Sequence, residues 1–84
     1  MPSFTHDVTY RAFLTHLKAM RRDRGVSQVE LAALLGVTQS FVSKAERGER
    51  RIDVVEFMAF CDVLQLNPAA EMLKLTEKLR RSSS

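Results

Sequence analysis

The sequence has little of what is needed to cross-link a chain, hold a metal or enter a membrane. Cys61 is its single cysteine, which excludes an intramolecular disulfide. With only His6 and His16 beside it, a dense Cys/His metal site is excluded as well. No apolar run approaches the about 20 residues of a membrane-spanning helix. Residues 1–7 lack the basic and apolar segments of a signal peptide, so we expect a cytoplasmic protein with no membrane partner.

Groupings of catalytic residues are also missing. The chain has 84 residues, which limits it to one domain with a modest core. It contains no glycine-rich phosphate loop and no Ser/His/Asp or Cys/His set that could form an active site. We therefore predict a protein that is not an enzyme and that takes no cofactor, metal or small-molecule ligand.

The charge is modestly unbalanced. Lysine and arginine number 13 against 10 aspartates and glutamates, a net charge of +3. A basic balance fits an anionic partner such as nucleic acid, but taken alone it is explained more simply by solubility. The pattern along the chain has to decide between these interpretations.

Capping signals and the spacing of apolar residues predict an all-α chain of five helices. Ser27 with Glu30, and Asp53 with Glu56, have the spacing of capping boxes, and Thr38 is a natural N-cap. No stretch alternates as a strand would. The predicted helices run from Asp7 or Thr9 to Arg24, from Ser27 to Gly36, from Thr38 to Gly48, from Asp53 through Leu64, and from Asn67-Pro68 to about residue 81, before a disordered tail at 82–84.

Apolar residues at helical spacing predict which faces form the core. We expect Cys61 to be a core residue rather than a redox sensor, because it lies within an apolar stripe. The predicted buried positions are Phe13, Leu14, Leu17 and Met20, then Leu31, Leu34, Leu35 and Val37, then Val42 and Ala45, then Val54, Phe57, Met58, Cys61 and Leu64, and finally Met72, Leu75 and Leu79.

The stretch 28–47 is the most informative part of the chain. It predicts two short helices joined by a tight turn at Gly36, which supplies a positive φ without Cβ strain. Ala32 is small where the two helices would cross, and Val42 is a branched apolar residue that would pin the second helix.

These positions make the stretch similar to the helix-turn-helix of the Cro and lambda-repressor-like (XRE-type) family. Gln28 matches the glutamine that opens the first motif helix, and Glu46-Arg47-Gly48 resembles the end of the second. The likeness covers roughly residues 10–66. It implies a five-helix, lambda-repressor-like domain over residues 1–81 that regulates transcription, associated with the nucleoid, by reading a double-stranded DNA operator in the major groove.

The resemblance also implies a role for individual side chains. Gln39 carries a donor and an acceptor on one amide, which suits adenine, and Lys44 suits guanine or a phosphate. Phe41 is open between packing on the core and touching a thymine methyl group. The implied base-reading residues are Thr38, Gln39, Ser40, Ser43 and Lys44; the implied phosphate contacts are Gln28, Arg47, Arg50 and Arg51; and Arg21 with Glu46 is an implied structural ion pair.

Two further expectations concern partners. The family mostly binds as twofold dimers, and we expect the fifth helix, with the end of the fourth, to form the contact between two copies. Alternatively, the same fold serves as a protein-interaction module or antitoxin-like component, with DNA contact secondary. No pattern assigns a function to His6 or His16.

Overall fold

Residues 7–83 form five α-helices in the computed structural model, which describes this part of the chain. They are α1 (Asp7–Asp23), α2 (Gln28–Leu35), α3 (Gln39–Arg47), α4 (Val54–Val63) and α5 (Pro68–Ser83). The predicted all-α, five-helix fold is confirmed. Residues 82 and 83 are helical where a disordered tail was expected, while His6 and Ser84 lie outside the described residues.

The helices begin where the capping signals indicate. The Ser27 hydroxyl accepts from the Glu30 N–H at 3.0 Å, and the Glu30 carboxylate accepts from the Ser27 N–H at 2.8 Å. Asp53 and Glu56 form the same reciprocal pair at 2.8 and 3.0 Å. Asn67 Oδ1 accepts from two N–H groups in the first turn of α5, at 2.8 and 3.1 Å. These bonds satisfy donors that the helix starts leave without intrahelical acceptors.

The core lies where α1, α2, α3 and α4 meet. Leu31, Val42 and Cys61 are fully buried and Leu17 is 1% exposed, so each of these four helices contributes an enclosed side chain. Burying an aliphatic or aromatic side chain of this size is worth about 1.5–3 kcal/mol. Burial, with a smaller contribution from nearby Glu71, raises the pKa of the Cys61 thiol to about 11. The cysteine is therefore a core residue, as predicted.

Five positions predicted to be buried are instead exposed. Leu34 is 55% exposed, Val37 36%, Val54 65%, Met58 51% and Met72 42%. Val37 lies in the turn between α2 and α3, and the other four lie outside the narrow stripe that each helix buries, because successive residues are rotated by about 100° around the helix axis. Met58 follows the buried Phe57 directly and so points away from the core.

Candidate nucleic-acid interface

A tight turn fixes the direction in which α3 leaves α2. Gly36 adopts the left-handed conformation, with φ 73° and ψ 32°, and its N–H bonds to the carbonyl of Ala33 at 3.2 Å. The Val37 N–H donates to the carbonyl of Ala32 at 3.0 Å, which caps the C-terminal end of α2. Thr38 then accepts the Phe41 N–H on its hydroxyl at 3.1 Å, which starts α3. A residue with a Cβ is strained at the Gly36 backbone angles, so the turn favours glycine.

The two sides of α3 differ sharply in exposure. Val42 and Ala45 are fully buried and Glu46 nearly so, which anchors one side of the helix. Ser40, Lys44 and Arg47 lie on the opposite side at helical spacing, and all three are exposed. Thr38 and Gln39 are exposed because they lie at the N-terminal end of α3, and Ser43 is half-buried, so all the predicted base readers have accessible side chains. We call Thr38, Gln39, Ser40, Ser43, Lys44 and Arg47 the outward face of α3.

A buried ion pair holds α3 against α1. Arg21 Nε donates to Glu46 Oε2 at 2.7 Å and Nη2 donates to Oε1 at 3.0 Å, a bidentate arrangement. A third nitrogen of Arg21 donates to the carbonyl of Val26 at 2.9 Å, which ties in the connection to α2. The side chains are 9% and 1% exposed. The pair thus joins α1, the connection between α1 and α2, and α3.

Both groups stay charged in this setting. Burial acts to raise the pKa of the Glu46 carboxyl, but hydrogen bonds from Arg21 and Gln28 and the charges of Arg21 and Lys18 outweigh it. The pKa of Glu46 is therefore lower than that of an ordinary glutamate. The hydrogen bond to Glu46 raises the pKa of Arg21, against the opposing effect of burial.

Gln28 connects this ion pair to the outward face. Its amide nitrogen donates to Glu46 Oε1 at 3.1 Å, and its amide oxygen accepts from Gln39 Nε2 at 3.4 Å. A continuous chain of polar contacts therefore runs from Arg21 through Glu46 and Gln28 to Gln39. In this structure the contact with Gln28 orients the Gln39 amide.

Arg47 is held by neighbours in its own segment. Its Nε and Nη2 donate to the two carboxylate oxygens of Glu49 at 2.9 and 3.2 Å, and Nη1 donates to Ser43 Oγ. The hydrogen bond to Glu49 raises the pKa of Arg47, and the same bond, with smaller effects from the charges of Arg47 and Lys44, lowers the pKa of Glu49. Both side chains are 55% exposed, so the pair is open to exchange with other ions.

The other two loop arginines also have partners within the chain. Arg50 makes a bidentate pair with Glu56 at 3.0 and 2.7 Å, and its guanidinium carbon lies 4.8 Å from the ring centre of Phe41. Arg51 lies 4.2 Å from the ring centre of Tyr10. Phe41 is half-buried, and in this structure its side chain packs against the core.

Sequence reasoning missed a second buried polar contact. His16, to which no function was assigned, is 4% exposed, and its Nε2 lies 2.9 Å from Glu71 Oε1. Lys78 Nζ lies 3.1 Å from the other ring nitrogen. The contact fastens α5 to α1, away from the outward face of α3. Glu71 and Lys78 are 55 and 62 residues from His16 in sequence, so no local signal could have revealed these contacts.

Residues 7–83 lack two other kinds of functional feature. No cluster of three or more His, Cys, Asp or Glu side chains in that range could hold a metal ion. Within the same range, no helix has both the length and the apolar character needed to cross a membrane.

The comparisons with known proteins agree with this geometry. Residues 12–75 match the family model described as a helix-turn-helix domain. The chain is 47% identical to an XRE-family like protein from Pseudomonas syringae pv. tomato, with a TM-score of 0.79 over 88% of this chain and 92% of that one. Its fold is also similar to the clp gene regulator ClgR from Corynebacterium glutamicum, at 23% identity and a TM-score of 0.74 over 87% and 95% of the two chains. A search of curated proteins gives no match.

Fold, turn and family match together define the class: this is a helix-turn-helix protein. The chain belongs, more narrowly, to the XRE-type family of DNA-binding transcription regulators.

Proposed function

We propose that the chain binds a specific double-stranded DNA operator by placing the outward face of α3 in the major groove. The observation that carries this proposal is the division of α3 into a buried side and an exposed polar side that has no acidic residue. In helix-turn-helix proteins the N-terminal part of the second motif helix faces the base edges. Here that part carries Thr38, Gln39 and Ser40, with Ser43 and Lys44 one turn further on.

Gln39 is the principal base reader in this proposal. An amide that reads adenine has to present its donor and acceptor together and in plane. The contact with Gln28 restrains the Gln39 amide, which lowers the entropy lost when the amide meets a base edge. Lys44, one turn further along α3, is exposed and positively charged, which suits guanine or a phosphate.

Gln28, Arg47, Arg50 and Arg51 position the domain on the phosphates. Gln28 is the first residue of α2, where unpaired N–H groups and the helix dipole favour an anion. The three arginines flank the C-terminal end of α3 and the loop that follows it. Phosphate contacts of this kind set register and supply affinity without carrying sequence information.

Selection of bound duplexes from a random library, followed by binding measurements on Gln39→Ala, tests the function. Gln39→Ala should cost about 1–3 kcal/mol on the selected duplex and relax preference at one base pair. Arg51→Ala should weaken binding to every duplex alike. Equal loss for Gln39→Ala on selected and unselected DNA would contradict its role as a base reader, and failure of the folded chain to bind any duplex would contradict the function.

A second copy of the chain is the partner we propose for the exposed apolar side chains of α4 and α5. Val54, Val55 and Met58 on α4, and Met72 and Leu73 on α5, are all between 42% and 69% exposed. Val54 and Met72 line one groove. We therefore propose a contact at the start of α4 rather than at its end, because the C-cap residue Leu64 is buried. Sedimentation should show a dimer; a monomer at every concentration that is tested would contradict it.

The interaction-module alternative is separated from DNA binding by salt dependence. Release of counterions from duplex DNA makes log affinity fall with log salt by about 0.9 for each phosphate neutralised. A steep slope supports DNA as the ligand, whereas binding to a protein partner alone, with no salt-dependent affinity for duplexes, would support the alternative.

A further inference from the structure

Two glutamates hold arginines at and just beyond the C-terminal end of α3. Glu49 occupies two nitrogens of Arg47 at 2.9 and 3.2 Å, and Glu56 occupies two nitrogens of Arg50 at 3.0 and 2.7 Å. Each contact is a two-oxygen, two-nitrogen fork. The same interaction therefore occurs at both ends of the segment 47–50. One glutamate lies in the loop after α3 and the other lies in α4.

A carboxylate and a phosphodiester offer a guanidinium the same chemistry. Both present a pair of anionic oxygens that match the parallel N–H groups of arginine. An arginine whose fork is occupied by a carboxylate has to release it, or share its donors, before it can bind a phosphate in the same manner. The glutamate and the DNA backbone therefore compete for one set of donors.

We propose that Glu49 and Glu56 stand in for DNA phosphates in the unbound protein, are displaced when the duplex arrives, and so limit affinity for DNA of any sequence. This inference rests on the proposed DNA-binding function. It assigns a role to two acidic residues that the base-reading and phosphate-binding sets do not include.

The surroundings of each pair allow this exchange. The Arg47–Glu49 pair is exposed on both sides, so either partner can be solvated when the other leaves. Arg50 and Glu56 are 44% and 25% exposed. Glu56 keeps a second interaction after exchange, because its carboxylate also accepts the Asp53 N–H at 3.0 Å in the cap of α4. Displacement of Arg50 therefore leaves the start of α4 intact.

The position of the pairs gives the competition its effect on DNA binding. Arg47 belongs to the outward face of α3. Arg50 lies in the loop after α3, and its guanidinium lies over the ring of Phe41, which is a residue of α3. The pKa of Arg47 is raised first by its hydrogen bond to Glu49 and then by the charge of that carboxylate. Because phosphate contacts carry no sequence information, the glutamates should lower affinity for selected and mixed-sequence duplexes alike.

Isosteric neutralisation tests the proposal. Glu49→Gln and Glu56→Gln should each strengthen binding to a labelled mixed-sequence duplex about two- to fivefold, a factor typical of exposed ion pairs. Each should also steepen the salt slope by up to about 0.9, because one more arginine neutralises a phosphate without a competing carboxylate. Glutamine is accepted at the third position of a capping box, so Glu56→Gln preserves the α4 cap.

Two controls separate competition from a simple change in net charge. Glu77→Gln makes the same chemical change on exposed α5, away from both pairs. Glu49→Gln is also measured in an Arg47→Gln background, and Glu56→Gln in an Arg50→Gln background, where no fork remains to be released. Thermal unfolding monitored by circular dichroism establishes that each variant is folded.

The possible outcomes are distinct. A gain that exceeds that of Glu77→Gln and disappears when the paired arginine is absent supports the proposal. A gain equal to that of Glu77→Gln, or one that persists without the arginine, overturns it while leaving DNA binding intact. Absence of duplex binding by the folded wild-type chain overturns the proposed function, and this inference with it.

Discussion

The region beneath α3 and the region beside it contain the same chemical pair in two environments. Arg21–Glu46 and Arg50–Glu56 are both bidentate, and the shortest nitrogen–oxygen distance is 2.7 Å in each. The side chains of the first pair are 9% and 1% exposed, whereas those of the second are 44% and 25% exposed. Distance therefore does not distinguish a structural pair from an exchangeable one, and burial does.

The consequence follows from the cost of leaving a charge alone. Removing one partner of a buried pair strands the other in a medium that solvates it poorly, whereas water accepts the survivor of an exposed pair. The buried pair thus fixes the position of α3, and the exposed pairs remain available to a ligand.

The largest expected effect comes from breaking the buried pair. Arg21→Ala should lower the free energy of unfolding by about 3–5 kcal/mol, because Glu46 loses its charge partner inside the fold. Urea unfolding measures this loss. Arg50→Gln is the matched control at the exposed pair and should leave the urea midpoint within experimental error of wild type. Similar midpoints for the two variants would remove the distinction between the pairs.

The parts of this fold that sequence predicts well are those set by local chemistry. The caps at Ser27, Thr38 and Asp53 and the left-handed turn at Gly36 depend on residues only a few positions apart. The same holds for the division of α3 into two sides, which follows from helical spacing.

What sequence reasoning missed depends on distant neighbours. The contact between His16 and Glu71 joins residues from the first and last helices, and nothing near either one signals it. Leu34 and Met58 look like core residues in a stripe but lie outside the arc that the neighbouring helices cover. The ion pair between Arg50 and Glu56 could not be predicted either, because it depends on how α4 packs beside the loop.

The acid response of the buried pair gives the next largest effect. The pKa of Glu46 is lower in the folded chain than the about 4.3 of an unfolded glutamate, so the unfolded chain takes up the proton first. The stability that Glu46 contributes is complete at neutral pH and is lost as the pH falls below about 4, through the folded pKa.

Comparison with Glu46→Gln isolates this contribution. The difference in unfolding free energy between wild type and the variant should be largest near neutrality and shrink in acid. Other glutamates with lowered pKa values, such as Glu30 and Glu56, are present in both proteins and cancel. A difference that stays constant from neutral to acid pH would show that the Glu46 charge contributes nothing.

A smaller effect is expected where neutral contacts tether the loop. The Tyr10 hydroxyl accepts the Ile52 N–H at 3.0 Å, and the ring lies under Arg51. Tyr10→Phe removes the bond but keeps the ring, and should cost about 0.5–1.5 kcal/mol in unfolding experiments. Because Arg51 keeps its aromatic contact, affinity for duplexes should change little; a loss as large as that of Arg21→Ala would place this bond among the main supports of the fold.

The most direct test of the account is a titration of the isotope-labelled chain with its selected duplex, followed by nuclear magnetic resonance. The largest changes in amide chemical shift should fall on residues 38–44, with further changes at Gln28 and through the loop at 47–51. Changes confined to the start of α4 and to α5, with residues 38–44 unaffected, would contradict the claim that the outward face of α3 enters DNA.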